Sequence, residues 1–359
     1  MLKTPSLFTP LEMRGLRLRN RIGVSPMCMY ACAPDGLATP WHLVHLGARA
    51  AGGAGLVVAE ATSVAPEARI SLADLGLWSP AHAQALKPVA AFIEAQGAVA
   101  GVQLAHAGRK GSTQVPWVGR RSVPPSEGGW SVRAPSALPF GPHGAPPQTM
   151  TAEDIARAIF QFAQAARHAV AAGFRYIELH LAHGYLAHQF MSPLTNQRVD
   201  DWGGGFDNRV RFSREVARAV RAALPDEVAL AARLSVSDWL DGGWEPGDAF
   251  RLGRLLREDG VDLVVCSSGA IAPGSAPPGG PGAQLPYAAR MRSETGVRAG
   301  AVGAITEPAQ AEALIADGGA DVVFLARAML RNPNWSLHAA QALGAQAPWP
   351  LPYARAVGG

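Results

Sequence analysis

Eight short, almost continuously apolar runs recur along the chain, each leading into a helical pattern directly or after an insertion. They are residues 21–27 (RIGVSPM), 55–64 (GLVVAEATSV), 98–106 (AVAGVQLAH), 174–181 (FRYIELHL), 228–235 (VALAARLS), 261–268 (VDLVVCSS), 297–303 (VRAGAVG) and 320–327 (ADVVFLAR). A strand apolar at every position has both faces covered, and helices between such strands make the sheet parallel. Eight repeats in 359 residues predict an α/β fold, a single closed (β/α)8 barrel. A doubly wound sheet has fewer strands and places its phosphate loop first. The clearest helix is 151–173. Thr151 stands at its cap with Asp154 in the capping-box position, and Gly173 ends it. Ile155, Ile159, Phe162, Ala166, Ala169 and Val170 form its apolar stripe.

Residues 107–150, rich in proline and glycine, follow the third run and are too long for a simple connector. They are expected to form a rim or lid on the barrel. Hydrophobic residues make up 48% of the chain and charged residues 17%, enough to bury a large core. No run reaches the ~20 apolar residues that span a bilayer, and the N-terminus lacks an apolar signal core. The expectation is a cytoplasmic protein with no membrane partner. The net charge is +4, but the basic residues are scattered and almost all arginine; Lys3, Lys87 and Lys110 are the lysines. The densest stretch, 209–221, alternates with an apolar stripe, so it reads as a solvated helix face rather than a nucleic-acid surface. Three cysteines, Cys28, Cys32 and Cys266, are too few and too odd for a disulfide framework and fit a reducing compartment.

In a barrel of this type, function sits at the C-terminal ends of the strands. Those ends present Met27, Cys28 and Tyr30 after strand 1, Glu60, Ala61 and Thr62 on strand 2, and Gln103 and His106 on strand 3. Strand 4 offers His180 and His183, strand 5 Arg233, strand 7 Gly303, and strand 8 Ala326 and Arg327. The stretch ELHLAHGYLAHQF (178–190) is dense in imidazoles, yet no metal is expected. It has no HExxH spacing, and Glu178 is expected on the opposite side of strand 4 from His180. His188 reads as a core histidine. Two neutral imidazoles at a barrel mouth can instead donate to one carbonyl or nitro oxygen and stabilise charge developing there. Tyr185 can then supply a proton. Gly303, opening a loop to a helix expected from Thr306, and Arg327 suit the phosphate of a cofactor, and Arg233 suits an electron-rich ring. No lysine lies at a strand end, which argues against Schiff-base chemistry; Lys110 lies in the loop after strand 3.

The stretches LFTPLEMRGLRLRNRIGVSPMCMY, VQLAHAGRK, HLAHGYLAHQFMSPLTNQRVDDWGGGFDNRVRF and PYARA resemble the old yellow enzyme family, in its bacterial xenobiotic-reductase and thermophilic-type branch. The resemblance runs almost end to end. It implies a tightly bound FMN, reduced by NADPH or NADH, and hydride transfer to the β-carbon of an activated alkene. By matching position, Ser25, Pro26, Met27 and Cys28 would line the flavin. Ala61 and Gln103 would meet its polar edge, Arg233 its pyrimidine, and Ala326 and Arg327 its phosphate, with Gly303 nearby. His180 and His183 would hold the substrate oxygen, Tyr185 would protonate the α-carbon, and Tyr30 would help bind substrate. Cys28 marks the branch, where it tunes the flavin and touches substrate. Arg355, in the tail 344–359, would reach a neighbouring subunit's site in a homodimer or homotetramer. The chain departs from the family in Ala326, where glycine is usual, and in GGG near residue 205, where GGS is usual. Larger relatives with extra domains and a cysteine-rich cluster do not fit its length. The rival reading is a flavin-bound sensor or binder of phenols and enones without turnover.

Overall fold

A computed structural model describes residues 4–119, 121–142, 144, 146–280 and 282–356; Lys3 and the end of the tail, 357–359, lie outside the described residues. Eight parallel strands close into a barrel: β1 (Ile22–Val24), β2 (Leu56–Ser63), β3 (Val99–Ala105), β4 (Tyr176–Leu181), β5 (Ala229–Ser235), β6 (Leu263–Ser267), β7 (Arg298–Val302) and β8 (Val322–Leu325). Each falls inside the run expected for it. Closure is made by β8 on β1, with Val323 opposite Ile22 and Leu325 opposite Val24. The outer ring is α1 (Pro40–Ala51), α2 (Pro80–Ala95), α3 (Ala152–Ala172), α4 (Arg211–Ala223), α5 (Pro246–Glu258), α6 (Pro286–Thr295), α7 (Pro308–Ala316) and α8 (Trp335–Ala342). The (β/α)8 fold is the one the eight runs predict. Among the described residues no helix is long and apolar enough to cross a membrane.

The N-terminal end of the barrel is plugged. A short hairpin, Leu11–Met13 against Leu16–Leu18, packs its apolar side chains on Leu56, Val99, Tyr176, Leu263, Val322 and Phe324. Phe324 fills this layer only because its neighbours are glycine: a Cβ on Gly23 or Gly300 would lie 2.8 Å or 2.7 Å from its ring. Large beside small is how a barrel interior reaches crystal-like density.

The α3 cap forms as the pattern predicts. Thr151 Oγ1 accepts from the Asp154 N–H at 3.2 Å, and Asp154 Oδ2 accepts from the Thr151 N–H at 3.1 Å. In its stripe Ile155, Phe162, Ala166 and Ala169 are buried, while Ile159 and Val170 are half-buried at the edges. The segment after β3 runs as two 3-10 turns and a pair of two-residue strands, Arg133–Ala134 and Gln148–Thr149, before α3 begins. Arg109 ties it down, donating to the carbonyls of Leu138 at 3.0 Å, Pro139 at 3.2 Å and Ile271 at 2.7 Å.

Candidate active site

Along β4, β5 and β6 the inward positions turn from apolar to polar as the chain climbs to the C-terminal end. On β4 the inward side chains are Tyr176, Glu178 and His180; on β5, Ala229, Ala231, Arg233 and Ser235; on β6, Leu263, Val265 and Ser267. The mouth is therefore lined with polar groups that stand on rigid strands. Glu178 does not face away from His180, contrary to the expectation above. With a period of two, residues 176, 178 and 180 share one face, and Glu178 stands inward beneath His180. Its carboxylate accepts from Gln103 Nε2–H at 2.6 Å and from the Tyr176 hydroxyl at 3.0 Å.

His180 and His183 meet edge to face, with ring centroids 5.0 Å apart, and the Tyr185 ring stands 4.9 Å from His180. Burial, first, and then the charges of Arg233 and Lys110 hold the His180 imidazole well below its ordinary pKa; burial, His180 and Arg233 do the same for His183. Both are neutral rings, each with one N–H to donate. Among the described residues, the buried His180 Nδ1 has no hydrogen-bond partner. His183 Nε2 lies 2.6 Å from Ser267 Oγ, and its backbone N–H donates to Ser235 Oγ at 3.1 Å. His183 has φ 59° and is followed by Gly184 at φ 71°, so the chain turns left-handed here. Only glycine fits the second position, since a Cβ on Gly184 would lie 2.2 Å from the Ala270 carbonyl oxygen. Lys110 Nζ holds the turn, donating to the carbonyls of His183 at 2.8 Å and Ala270 at 3.1 Å. His188 is a core residue, as expected: it accepts from the Gly184 N–H at 2.9 Å and meets Asp238 Oδ1 at 2.8 Å.

The loop after β1 crosses the same mouth. Ser25 Oγ accepts from Arg233 at 2.7 Å, while Arg233 Nε is buried with no partner. Pro26, Met27 and Cys28 are half-buried. The Cys28 sulfur contacts the Ala61 backbone and the Tyr30 side chain, and burial beside Glu60 and Asp74 pushes its pKa well up. Cys28 is thus a neutral thiol, not a thiolate. Glu60 Oε2 accepts from the Met29 N–H at 2.9 Å and holds the loop in place. Across the barrel, Gly303 sits at φ 143°, and Gln284 bridges the neighbouring strand ends, accepting from Ser268 Oγ and donating to the Val302 carbonyl, both at 2.6 Å. The helix after Gly303 starts at Pro308 with Glu307 at its cap, not at Thr306. The reason is local: Pro308 fixes the first helical turn, and Glu307 before it stays extended. Ala326 caps a short helix, Arg327–Arg331, whose first residue is the exposed Arg327.

Beside Tyr185 a cavity of about 550 Å³ opens between the segment after β3 and the loop after β6; its walls include Tyr30, Lys110, Arg121, Phe140, Tyr185 and Pro273, while His180 and His183 are not among its lining residues. Arg355 is exposed on the C-terminal turn Leu351–Ala356 and is not among the cavity's lining residues. Sequence reasoning missed Lys110, Gln284 and Ser267, which reach the site from loops and strand ends far apart in the chain. Only the parity of 178 and 180 was there to be read.

Residues 6–346 match the NADH:flavin oxidoreductase / NADH oxidase family. The chain is 44% identical over 350 residues to an NADPH dehydrogenase of Geobacillus thermodenitrificans, covering 97% of this chain and 98% of that one. It is 40% identical over 350 residues to the NADPH dehydrogenase of Bacillus subtilis, with coverage of 97% and 98%. Among solved structures, morphinone reductase superposes with a TM-score of 0.78 at 28% identity, covering 96% of this chain and 91% of that one. An old yellow enzyme homologue from Zymomonas mobilis gives 0.79 at 25% identity, covering 96% and 94%. The chain therefore belongs to the NADH:flavin oxidoreductase / NADH oxidase family and is an FMN-dependent NADPH oxidoreductase of the old yellow enzyme type.

Proposed function

We propose that the protein reduces the C=C bond of α,β-unsaturated carbonyl or nitro compounds. The observation that carries this reading is the pair of neutral imidazoles beside Tyr185, which lines the cavity, with His180 Nδ1 buried and without a partner among the described residues. With Ser267 Oγ–H donating to His183 Nε2, the His183 Nδ1–H and the N–H of His180 would hold the substrate oxygen and stabilise the charge that builds there during reduction. Tyr185 then gives its phenol proton to the α-carbon. Bound FMN, recharged by NADPH or NADH, supplies the hydride for the β-carbon. Tyr30 lines the cavity, and Tyr30 and Cys28 would contact substrate.

The residues of the mouth fit such a cofactor. Arg233 carries a buried Nε with no partner, aimed from β5 among Ser25 and the loop through Pro26, Met27 and Cys28. Gln103 and Ala61 stand opposite one another on β3 and β2 and meet the ring's polar edge. Gly303, Ala326 and Arg327 would hold the phosphate, with the exposed Arg327 guanidinium as donor. The 107–150 segment acts as a lid. The protein works in the cytoplasm as a homodimer or homotetramer, and Arg355 reaches a neighbouring subunit's site; mixing tail-deleted and Tyr185→Phe chains restores activity on this reading.

The decisive experiment separates the two half-reactions. Tyr185→Phe should slow reoxidation by 2-cyclohexen-1-one by a factor on the order of 10²–10⁴, the usual worth of a general acid, and leave reduction by NADPH near normal. Equal loss in both halves would make Tyr185 a packing residue.

A further inference from the structure

Glu178 takes no part in the chemistry above, yet it is completely buried in the barrel. An acid there needs a reason, because a charge taken out of water without a partner is costly. Other buried acids have evident ones. Asp238 faces His188, Glu60 faces His42 and a backbone N–H, and Asp154 caps α3 between Arg133 and Arg157. Both direct partners of Glu178 are neutral, the Gln103 amide and the Tyr176 hydroxyl. The charge that balances it is Arg233, on the adjacent strand and one inward step higher: Glu178 pairs with Ala231, and His180 with Arg233. Burial raises the carboxyl's pKa, and Arg233, Gln103 and Tyr176 oppose the rise. Burial likewise lowers that of Arg233, and Glu178 is the first group to oppose it. The two charges sustain one another.

The hydrogen bond also settles how Gln103 lies. A carboxylate only accepts, so the amide must turn Nε2–H toward Glu178 and keep Oε1 and its second N–H for another partner. Glu178 therefore stands behind the two residues of the mouth that carry a fixed charge and a fixed dipole.

We propose that Glu178 is a positioning residue of the flavin site. It orients the Gln103 amide and offsets part of the Arg233 charge, and so sets how readily bound FMN accepts electrons. This rests on the reading that Gln103 and Arg233 face the flavin. The carboxylate acts as a brake: a reduced ring carries negative charge, and an anion below Arg233 makes that charge less welcome. Removing it should favour the reduced form.

Glu178→Gln tests this with little change of shape. The new amide can still accept from Gln103, and its own N–H can donate to the Tyr176 oxygen, which rotates its hydrogen away. In the FMN-loaded protein the midpoint potential should become more positive, and sulfite, which adds negative charge to the flavin, should bind at least tenfold more tightly. That factor corresponds to about 30 mV for a two-electron couple. Tyr176→Phe removes one hydrogen bond but leaves the carboxylate, and should move both readouts clearly less. Equal shifts in the two variants would assign the effect to packing and overturn the proposal, as would an unmoved potential in Glu178→Gln. Arg233→Met separates this from the underlying reading. If it leaves FMN affinity and potential unchanged, the flavin placement fails; if it shifts them while Glu178→Gln does not, only the role of Glu178 fails. Should Glu178→Gln not fold, the infrared difference spectrum of the native holoprotein carries the test. Reduction should perturb the band of a buried carboxyl group, and the absence of any carboxyl change would overturn the proposal.

Discussion

Lys110 was legible only as a loop lysine, and in the fold it braces the turn that carries His183. The His183 and Ala270 carbonyls it donates to lie 73 and 160 positions away in sequence, which no local pattern encodes. It fixes a left-handed turn that residues other than glycine adopt at a cost of about 1–3 kcal/mol, and so fixes the direction of the His183 ring. Lys110→Met should weaken binding of a para-substituted phenol roughly tenfold, since a hydrogen bond from a charged donor contributes about 1.5–3 kcal/mol. Titration of the flavin spectrum reads it, and an unchanged dissociation constant would show that the turn holds without Lys110. Glu178 teaches the opposite lesson. Its side of the strand followed from counting alone, and the expectation that set it apart from His180 missed a rule the sequence already contained.

At the level of elements, α3 was readable because everything that starts and stops it is local. The threonine cap, the aspartate three residues on and the final glycine at φ 99° lie within one contiguous stretch. Thr151→Ala should cost about 1 kcal/mol of stability, seen as a lower urea midpoint with an unchanged slope and an unaltered flavin spectrum. The start of α7 was misplaced by two residues, because Thr306 looks like a cap while Pro308 is the residue whose geometry begins the helix. The segment after β3 could be recognised as too long for a connector. Its path could not be read, since Arg109 near its start anchors it to carbonyls far along the chain, Leu138 within the segment and Ile271 in the loop after β6.

For the molecule as a whole, acid should be the weakness. Burial, aided by Arg49 and then His42, lowers the His45 pKa from the ordinary 6.5 to about 4, and burial lowers that of His106 to about 4 as well. Above pH 6.5 both rings are neutral whether the chain is folded or not. Between 6.5 and 4 the unfolded chain binds protons that the folded one refuses, so stability falls with pH by up to about 3 kcal/mol for each. Urea midpoints at pH 7, 5.5 and 4.5 should decline in that order, and His106→Gln should flatten the decline; a flat native profile would mean that these rings are solvated.

Periodicity, length and capping are local properties, so the chain alone determined eight strands, eight helices and the end of the barrel where side chains gather. Its longest motifs were enough to point to the family. Which groups touch was decided only in the packed barrel, where β4 beside β5 set Arg233 one inward step above Glu178 and the loops brought His183 to Ser267 and Lys110 under the same turn. Those contacts join residues tens to hundreds of positions apart, and their energies depend on burial and on nearby charges that exist only in the packed state.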